Sequence, residues 1–329
     1  MKTFIKDFPN HIENAIKIAD KSVSKFTLND ISNVIISGQG GSGIAGCIVR
    51  NIFYNKISIP IIINQDYKIP KFADDKTLFI SSSYSGNTEE TINAFHAASK
   101  KKCQIICICS DGELLSLAKE HNYNYITIPR GGAPRAMLAY SLTQLLFVLE
   151  SLHSGSTGIN DLKIEMKSIS RLLLKKQKEI MKIAKSISSK IGKKMPFIYT
   201  YPELEGLAVR FKQQLNENSK RHAFYNIIPE MNHNEIVGWS RNSLCSIPIF
   251  INGQSSKENK NRLDITINQI SPKVEDLIVI DYDTSSHIEE YFYFLHLVDW
   301  VSFFIAENDG VDPNEIDAIH FFKKELKKL

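Results

Sequence analysis

Short runs of branched apolar residues, each followed by a stretch of helical spacing, constrain this chain more tightly than any other feature. In the first half the runs are Val34–Ser37, Pro60–Asn64, Thr77–Ile80, Gln104–Cys109 and Tyr125–Ile128. In the second they are Pro196–Thr200, Ala223–Ile227, Ile247–Ile251 and Leu277–Asp281. A strand with one face in water alternates apolar and polar side chains. An uninterrupted apolar run instead needs cover on both faces, which crossover helices supply to a parallel sheet. The pattern predicts an α/β fold of two doubly wound, flavodoxin-like parallel sheets flanked by helices, the second half a degenerate copy of the first.

Length agrees with two units, since 329 residues fill two domains of roughly 150 residues each, both large enough to bury a core. The stretch His153-Ser-Gly-Ser-Thr-Gly158 has linker chemistry, and a Lys-rich helical segment follows from Asp161 to Lys190. The boundary is therefore expected between residues 1–154 and 155–329. Ile288–Ala306 is aromatic and aliphatic but interrupted by Glu289, Glu290, His296 and Asp299, so it reads as a buried helix and not a membrane span.

Composition narrows the function. With 43% hydrophobic residues and a net charge of only +4, neither a disordered chain nor a membrane protein fits. The basic residues are scattered lysines without an aromatic-interleaved arginine stripe, which argues against nucleic acid as a partner. Lys2, Lys6, Asp7 and Glu13 break up the N-terminus, so a secretory leader is not expected and the cytoplasm is. Cys47, Cys103, Cys107, Cys109 and Cys245 form no CxxC pair, and no metal site is expected from them. Cys107 and Cys109, two apart in a strand, face one side as small buried apolar groups.

Two loops at strand ends carry chemistry. After the first strand, Gly38-Gln-Gly-Gly-Ser-Gly43 allows a sharp turn and a close approach of helix N-terminal N–H groups to an anion. It satisfies G-x-G-x-x-G, and Asp66 follows where a ribose-binding acid would sit, so an NAD-dependent oxidoreductase is one reading. After the third strand, Ser81-Ser-Ser-Tyr-Ser-Gly-Asn-Thr-Glu-Glu90 can aim the hydroxyls of Ser83, Ser85 and Thr88 at one centre ahead of another helix N-terminus. That is a receptor for a phosphate monoester; the competing reading is an elaborate N-cap.

Here the sequence resembles the sugar-isomerase (SIS) domain superfamily, in which a Ser/Thr-rich loop holds the phosphate of a phosphosugar. More narrowly, Gly40-Gly-Ser-Gly43, Ser83-Tyr-Ser-Gly-Asn-Thr88, Pro134-Arg135 and Pro229-Glu-Met-Asn-His-Asn-Glu235 are similar to the bifunctional phosphoglucose/phosphomannose isomerases. The resemblance implies an aldose–ketose isomerase that interconverts glucose 6-phosphate, and mannose 6-phosphate, with fructose 6-phosphate through a cis-enediolate, with no cofactor and no metal. It implies that Ser83, Ser85 and Thr88 anchor the phosphate and that Gly41 and Ser42 contact the sugar.

The same resemblance assigns the acid–base groups. Glu217 lies off the stripe of Leu207, Ala208, Phe211 and Leu215 and by itself reads as a solvated carboxylate; the resemblance makes it the base that moves a proton between C2 and C1. Arg135 can fork two hydrogen bonds to adjacent oxygens and is suited to the enediolate charge. His233, by itself an exposed loop histidine, becomes the ring-opening group, contributed across a homodimer interface. Lys323, with Lys324 adjacent to it as the alternative match, would meet the sugar oxygens. A further rival is a non-catalytic phosphosugar sensor, but Glu217 and His233 are present and no helix-turn-helix unit is appended.

Overall fold

Every predicted apolar run forms a strand in a computed structural model, which describes residues 1–241, 245–326 and 328. The first half runs α1 (Lys2–Lys6), α2 (Phe8–Ser22), β1 (Asn33–Ser37), α3 (Gly40–Phe53), β2 (Ile61–Asn64), β3 (Thr77–Ser83) and α4 (Glu89–Lys100). It continues with β4 (Gln104–Cys109), α5 (Glu113–Glu120), β5 (Asn124–Thr127) and α6 (Leu138–His153). Then come α7 (Gly155–Ile191), β6 (Met195–Thr200), α8 (Glu205–Ser219), β7 (Phe224–Ile227), β8 (Ser246–Asn252), α9 (Lys257–Ile270), β9 (Ile278–Asp281), α10 (His287–Asp309) and α11 (Asp317–Leu326).

Two all-parallel sheets result, ordered β2-β1-β3-β4-β5 and β7-β6-β8-β9. Both are the doubly wound order in which the chain reverses direction beside its first strand, and that reversal leaves a crevice at the strands' carboxyl ends. In the first sheet it lies between β1 and β3, where Ser37 is in register with Ser81.

The principal apolar core belongs to neither half alone. Val34 and Ile36 of the first sheet and Ile198 and Ile249 of the second join one cluster with α2, α3, α6, α7, α8 and α10. Smaller clusters cover the outer faces, one around Phe79, Phe95 and Cys107 and the other around Tyr199, Phe250 and Trp239. Helix α10 is buried along nearly its whole length, as its composition suggested, and no helix among the described residues is long and apolar enough to cross a membrane.

The segment His153–Gly158 departs from the expected linker. Only Ser154 separates α6 from α7. A Cβ on Gly158 would lie 2.3 Å from Glu150 Oε1 and 2.3 Å from Ser154 Cβ. This glycine permits the closeness of two helices, not slack between them. Leu162, Met166, Ile169, Leu173, Ile180, Ala184 and Ile187 then carry a buried stripe along α7, so packing overrides the local composition.

The helices α3 and α8 set the polarity of the molecule. Gly206, at the start of α8, packs where a Cβ would be 3.0 Å from Ile48 Cγ1, and its N–H donates to Asn51 Oδ1 at 3.0 Å near the end of α3. The two helices are therefore antiparallel, and the last turn of α8 lies beside the first turn of α3. Because Phe147 of α6 is fully buried in the shared core, Phe147→Ala should cost ~3–5 kcal/mol of unfolding free energy. Denaturant titration of the intact chain checks it, and a loss below about 1 kcal/mol would contradict the shared core.

Candidate active site

Two uncapped helix N-termini face the first sheet's crevice. Helix α3 begins at Gly40 after Gln39, and α4 begins after Thr88; neither preceding side chain caps its helix. Thr88 instead brings its hydroxyl 2.9 Å from that of Ser83, which also accepts from Gly86 N at 3.2 Å. The N-cap reading of this loop therefore fails at the residue that would have carried it. Two paired hydroxyls therefore stand ahead of the first turn of α4, a cradle of the kind that can receive an anion. Ser83 is buried, while Ser85 is exposed and accepts from Asn87 N at 3.3 Å. Gly86 has φ +70°, and a side chain there would run into the carbonyl of Asp111.

Ser42 and Gly41 join this cradle to the rest of the site. Ser42 Oγ accepts from Tyr84 N at 3.1 Å, and the Tyr84 hydroxyl in turn accepts from Gly132 N at 3.1 Å. Tyr84 thus ties α3 to the loop that leads into the 3-10 turn Pro134–Met137. Gly41 lies against that turn, since a Cβ on it would be 3.0 Å from Pro134 O and 3.3 Å from Arg135 Cα.

Arg135 is 2% exposed, and each arm of its guanidinium has a partner. Nε donates to Asn218 Oδ1 at 2.8 Å, Nη1 to Glu217 Oε2 at 3.2 Å and Nη2 to Pro313 O at 2.5 Å. Burial lowers its pKa and the Glu217 carboxylate opposes that shift, but a guanidinium keeps its charge throughout the working range of an enzyme. Glu217 is partly exposed, its side chain retaining 28% of its accessible surface. It comes to this place because α8 runs back toward the first sheet and ends at Ser219, with Lys220 in the left-handed conformation at φ 54°.

Lys220 was not singled out by the sequence. Its ammonium donates to Glu217 O at 2.9 Å, Asp312 O at 2.6 Å and Glu315 O at 2.8 Å, so it covers the C-terminal end of α8 and pins the segment that supplies Pro313. A signal did exist for its neighbours: Arg210, Gln214 and Asn218 recur every four residues beside the apolar stripe of α8, and all are buried.

His233 stands apart from this cluster within the chain. His233 ends the 3-10 turn Glu230–His233 after β7, at the end of the second sheet where α8 begins. The 15 residues of α8 separate that end from Ser219 by about 20 Å at 1.5 Å per residue. His233 is exposed but its turn is fastened: Asn232 Nδ2 donates to Thr266 Oγ1 at 2.7 Å, and Glu235 accepts from Tyr199 at 2.6 Å and from Asn226 at 2.6 Å. Lys323 is exposed on α11, a helix with none of its described side chains buried.

A cavity of about 930 Å³ lies at the other end of α3 and is lined by residues that include Arg50, Tyr54, Pro202, Glu203 and Glu205. Arg50 and Glu205 pair with each other there at 3.2 Å, and the Glu203 carboxylate accepts from Ser255 Oγ at 3.1 Å. Asp66, the acid of the dinucleotide reading, accepts from Tyr67 N at 2.6 Å in an exposed turn. No group of three or more His, Cys, Asp or Glu among the described residues is placed to hold a metal ion, and the five cysteines are unpaired.

Residues 180–326 match the family described as the bacterial phospho-glucose isomerase C-terminal SIS domain. The chain is 34% identical to the bifunctional phosphoglucose/phosphomannose isomerase of Caldicellulosiruptor bescii over 99% of this chain and 98% of that protein. It is 33% identical to the protein of the same name from Aquifex aeolicus over 96% and 99% of the two chains. In structure it is similar to the C-terminal domain of glucosamine-fructose-6-phosphate aminotransferase from Francisella tularensis, with a TM-score of 0.79, 17% identity and coverage of 96% and 97%. At that identity the likeness shows the fold.

Combining Ser83→Ala with Thr88→Ala removes two hydroxyls from the cradle, and hydrogen bonds to a charged acceptor contribute ~1.5–3 kcal/mol each. The expected outcome is a rise of at least about a hundredfold in the Kd for a phosphate monoester. Calorimetric titration reads it, and an unchanged Kd would remove the cradle from the site.

Proposed function

The chain belongs to the bifunctional phosphoglucose/phosphomannose isomerase family, and from that premise we propose how its residues interconvert glucose 6-phosphate or mannose 6-phosphate with fructose 6-phosphate. The enzyme is an aldose–ketose isomerase. The observation that carries the assignment of roles is the Arg135–Glu217 pair at 3.2 Å, formed against the first turn of α3 and linked through Ser42 and Tyr84 to the hydroxyl cradle. A non-catalytic phosphosugar sensor needs the cradle alone and gives no reason for a carboxylate held beside it.

Ser83, Ser85 and Thr88, with the N–H groups of two helix N-termini, hold the phosphate; Gly41 lets the sugar approach the backbone, and Ser42 contacts it. Glu217 takes the proton from C2 of the open-chain aldose and returns it at C1, while the hydroxyl proton of O2 passes to O1, so that the carbonyl moves from C1 to C2. The C–H beside a carbonyl is weakly acidic, so the barrier falls when the negative charge that develops on oxygen meets a fixed cation. Arg135 is that cation, held before the substrate arrives. Rotation of the open chain about C2–C3 presents either C2 epimer to the same base, which lets one site serve both aldoses.

Residues 1–154 supply the cradle and Arg135, and residues 155–329 supply Glu217, His233 and Lys323. His233 opens the ring by moving a proton between ring oxygen and O1. It does so in the site of a neighbouring copy, because its own Glu217 lies at the far end of α8. Exposed Val237 beside it, and Ile319, Phe321 and Phe322 on α11, are the apolar surface of such a homodimer, and Lys323 of α11 reaches the sugar oxygens there. We place the enzyme in the cytoplasm, where five unpaired cysteines stay reduced.

Two measurements test these roles. Glu217→Gln keeps the hydrogen-bonding shape of the side chain but removes the base, so fructose 6-phosphate formation should fall by at least about a thousandfold while substrate still binds; retained turnover would discard Glu217 as the base. Mixing inactive Glu217→Gln and His233→Ala proteins should restore about a quarter of wild-type activity, because in a two-fold dimer each mixed pair rebuilds one intact site. Absence of any restoration would place His233 outside the partner's site.

A further inference from the structure

Beneath the Arg135–Glu217 pair runs a closed ring of buried hydrogen bonds. Asn218 Oδ1 accepts from Arg135 Nε at 2.8 Å, and Asn218 Nδ2 donates to Ser302 Oγ at 2.9 Å. Ser302 Oγ donates to Asp299 O at 2.8 Å. The Asp299 carboxylate accepts from Arg210 Nε at 3.2 Å, from Arg210 Nη2 at 3.0 Å and from Gln214 Nε2 at 2.7 Å. Arg210 Nη2 also donates to Arg135 O at 2.6 Å, which closes the ring. Arg135, Arg210, Gln214, Asn218, Asp299 and Ser302 are all buried.

The two halves of the ring fix different freedoms of one side chain. Arg210, held by Asp299, fastens the main chain of Arg135. Asn218, held by Ser302, fixes the rotation of the guanidinium about its own stem. A guanidinium is planar, so setting its Nε also sets where Nη1 points, and Nη1 points at Glu217. Asn218 adjoins Glu217 in sequence, so one turn of helix carries both the base and the group that aims the cation at it.

We propose that Asn218 is a positioning residue for isomerisation, acting through Arg135, with Ser302, Asp299 and Arg210 as its frame; this rests on the role given to Arg135 above. The neutrality of Asn218 is part of the role. A carboxylate there would pair with the guanidinium permanently and compete with the oxygen on which charge develops.

The test is steady-state isomerisation of glucose 6-phosphate by the full-length chain, with thermal unfolding as a check on folding. Asn218→Ala should lower kcat by roughly tenfold to a hundredfold, the cost of a misaimed group, while KM, set by the phosphate cradle, changes by less than about threefold. Ser302→Ala, a milder change that leaves Asn218 in place, should lower kcat in the same direction by a smaller factor, and it carries the test if Asn218→Ala does not fold. Adding Asn218→Ala to Arg135→Ala should cost nothing further, because the group being aimed is already gone. Independent, multiplying losses in the double variant, or wild-type kcat in a folded Asn218→Ala or Ser302→Ala protein, would overturn the proposal. Wild-type kcat in Arg135→Ala would bring down the underlying assignment as well, so the two failures are distinguishable.

Discussion

A buried guanidinium is what the geometry of this molecule depends on. Taking a charge out of water costs several kcal/mol unless it is paired and fully hydrogen-bonded. Arg135 meets that condition only when three distant segments meet: its own turn after the first sheet, the last turn of α8 with Glu217 and Asn218, and the segment at Pro313. Drawing any of the three back would leave a charge without partners in the interior. The residues proposed to act together are therefore held together by a requirement that exists before any substrate binds.

Antiparallel packing of α3 on α8 sets the two ends of the molecule apart. The carboxyl ends of the two sheets point in opposite directions, so the first sheet's crevice receives the end of α8 and the second sheet's crevice receives the end of α3. Glu217 falls at one end and His233 at the other, on a turn anchored by Glu235, Tyr199 and Asn226. A two-fold pair of chains can bring opposite ends of one surface together. A rigidly held but exposed histidine has a use in such an arrangement that it lacks in a single chain.

Strands, their parallel pairing and the buried helix α10 were legible in the sequence because each rests on a strong local pattern: continuous branched runs for the strands, and an aromatic stretch too interrupted by charge for a membrane. The gathering of the Ser83 and Thr88 hydroxyls was legible for the same reason, since the two residues lie close in sequence. The segment 153–158 misled, because serine and glycine have the same composition whether they provide slack or allow two helices to approach. Glu217 could not be recognised from helical spacing alone. Its partner Arg135 is 82 residues away in the chain, and periodicity reports which face is apolar without reporting what approaches the polar one. Resemblance to known sequences singled out Glu217 and Arg135 separately, and the structure supplies the contact between them.

The buried polar row Arg210, Gln214 and Asn218 did have a readable period, and its chemistry shows how two guanidiniums are accommodated close together. Arg210 has a carboxyl group of its own, Asp299: burial pushes the Asp299 pKa up, and Arg210 and Gln214 pull against that shift. Arg135 has Asn218 and a carbonyl on two of its arms, with the one carboxylate among its partners being the catalytic candidate. The first cation is neutralised and holds structure, whereas the second is solvated by neutral acceptors and keeps its field directed at Glu217 and the space beside it. Reversing the partners, with asparagine on Arg210 and a fixed carboxylate on Arg135, would retain the hydrogen-bond count and lose that asymmetry. The placement of charge, more than the number of bonds, is what makes this buried network suited to an enediolate.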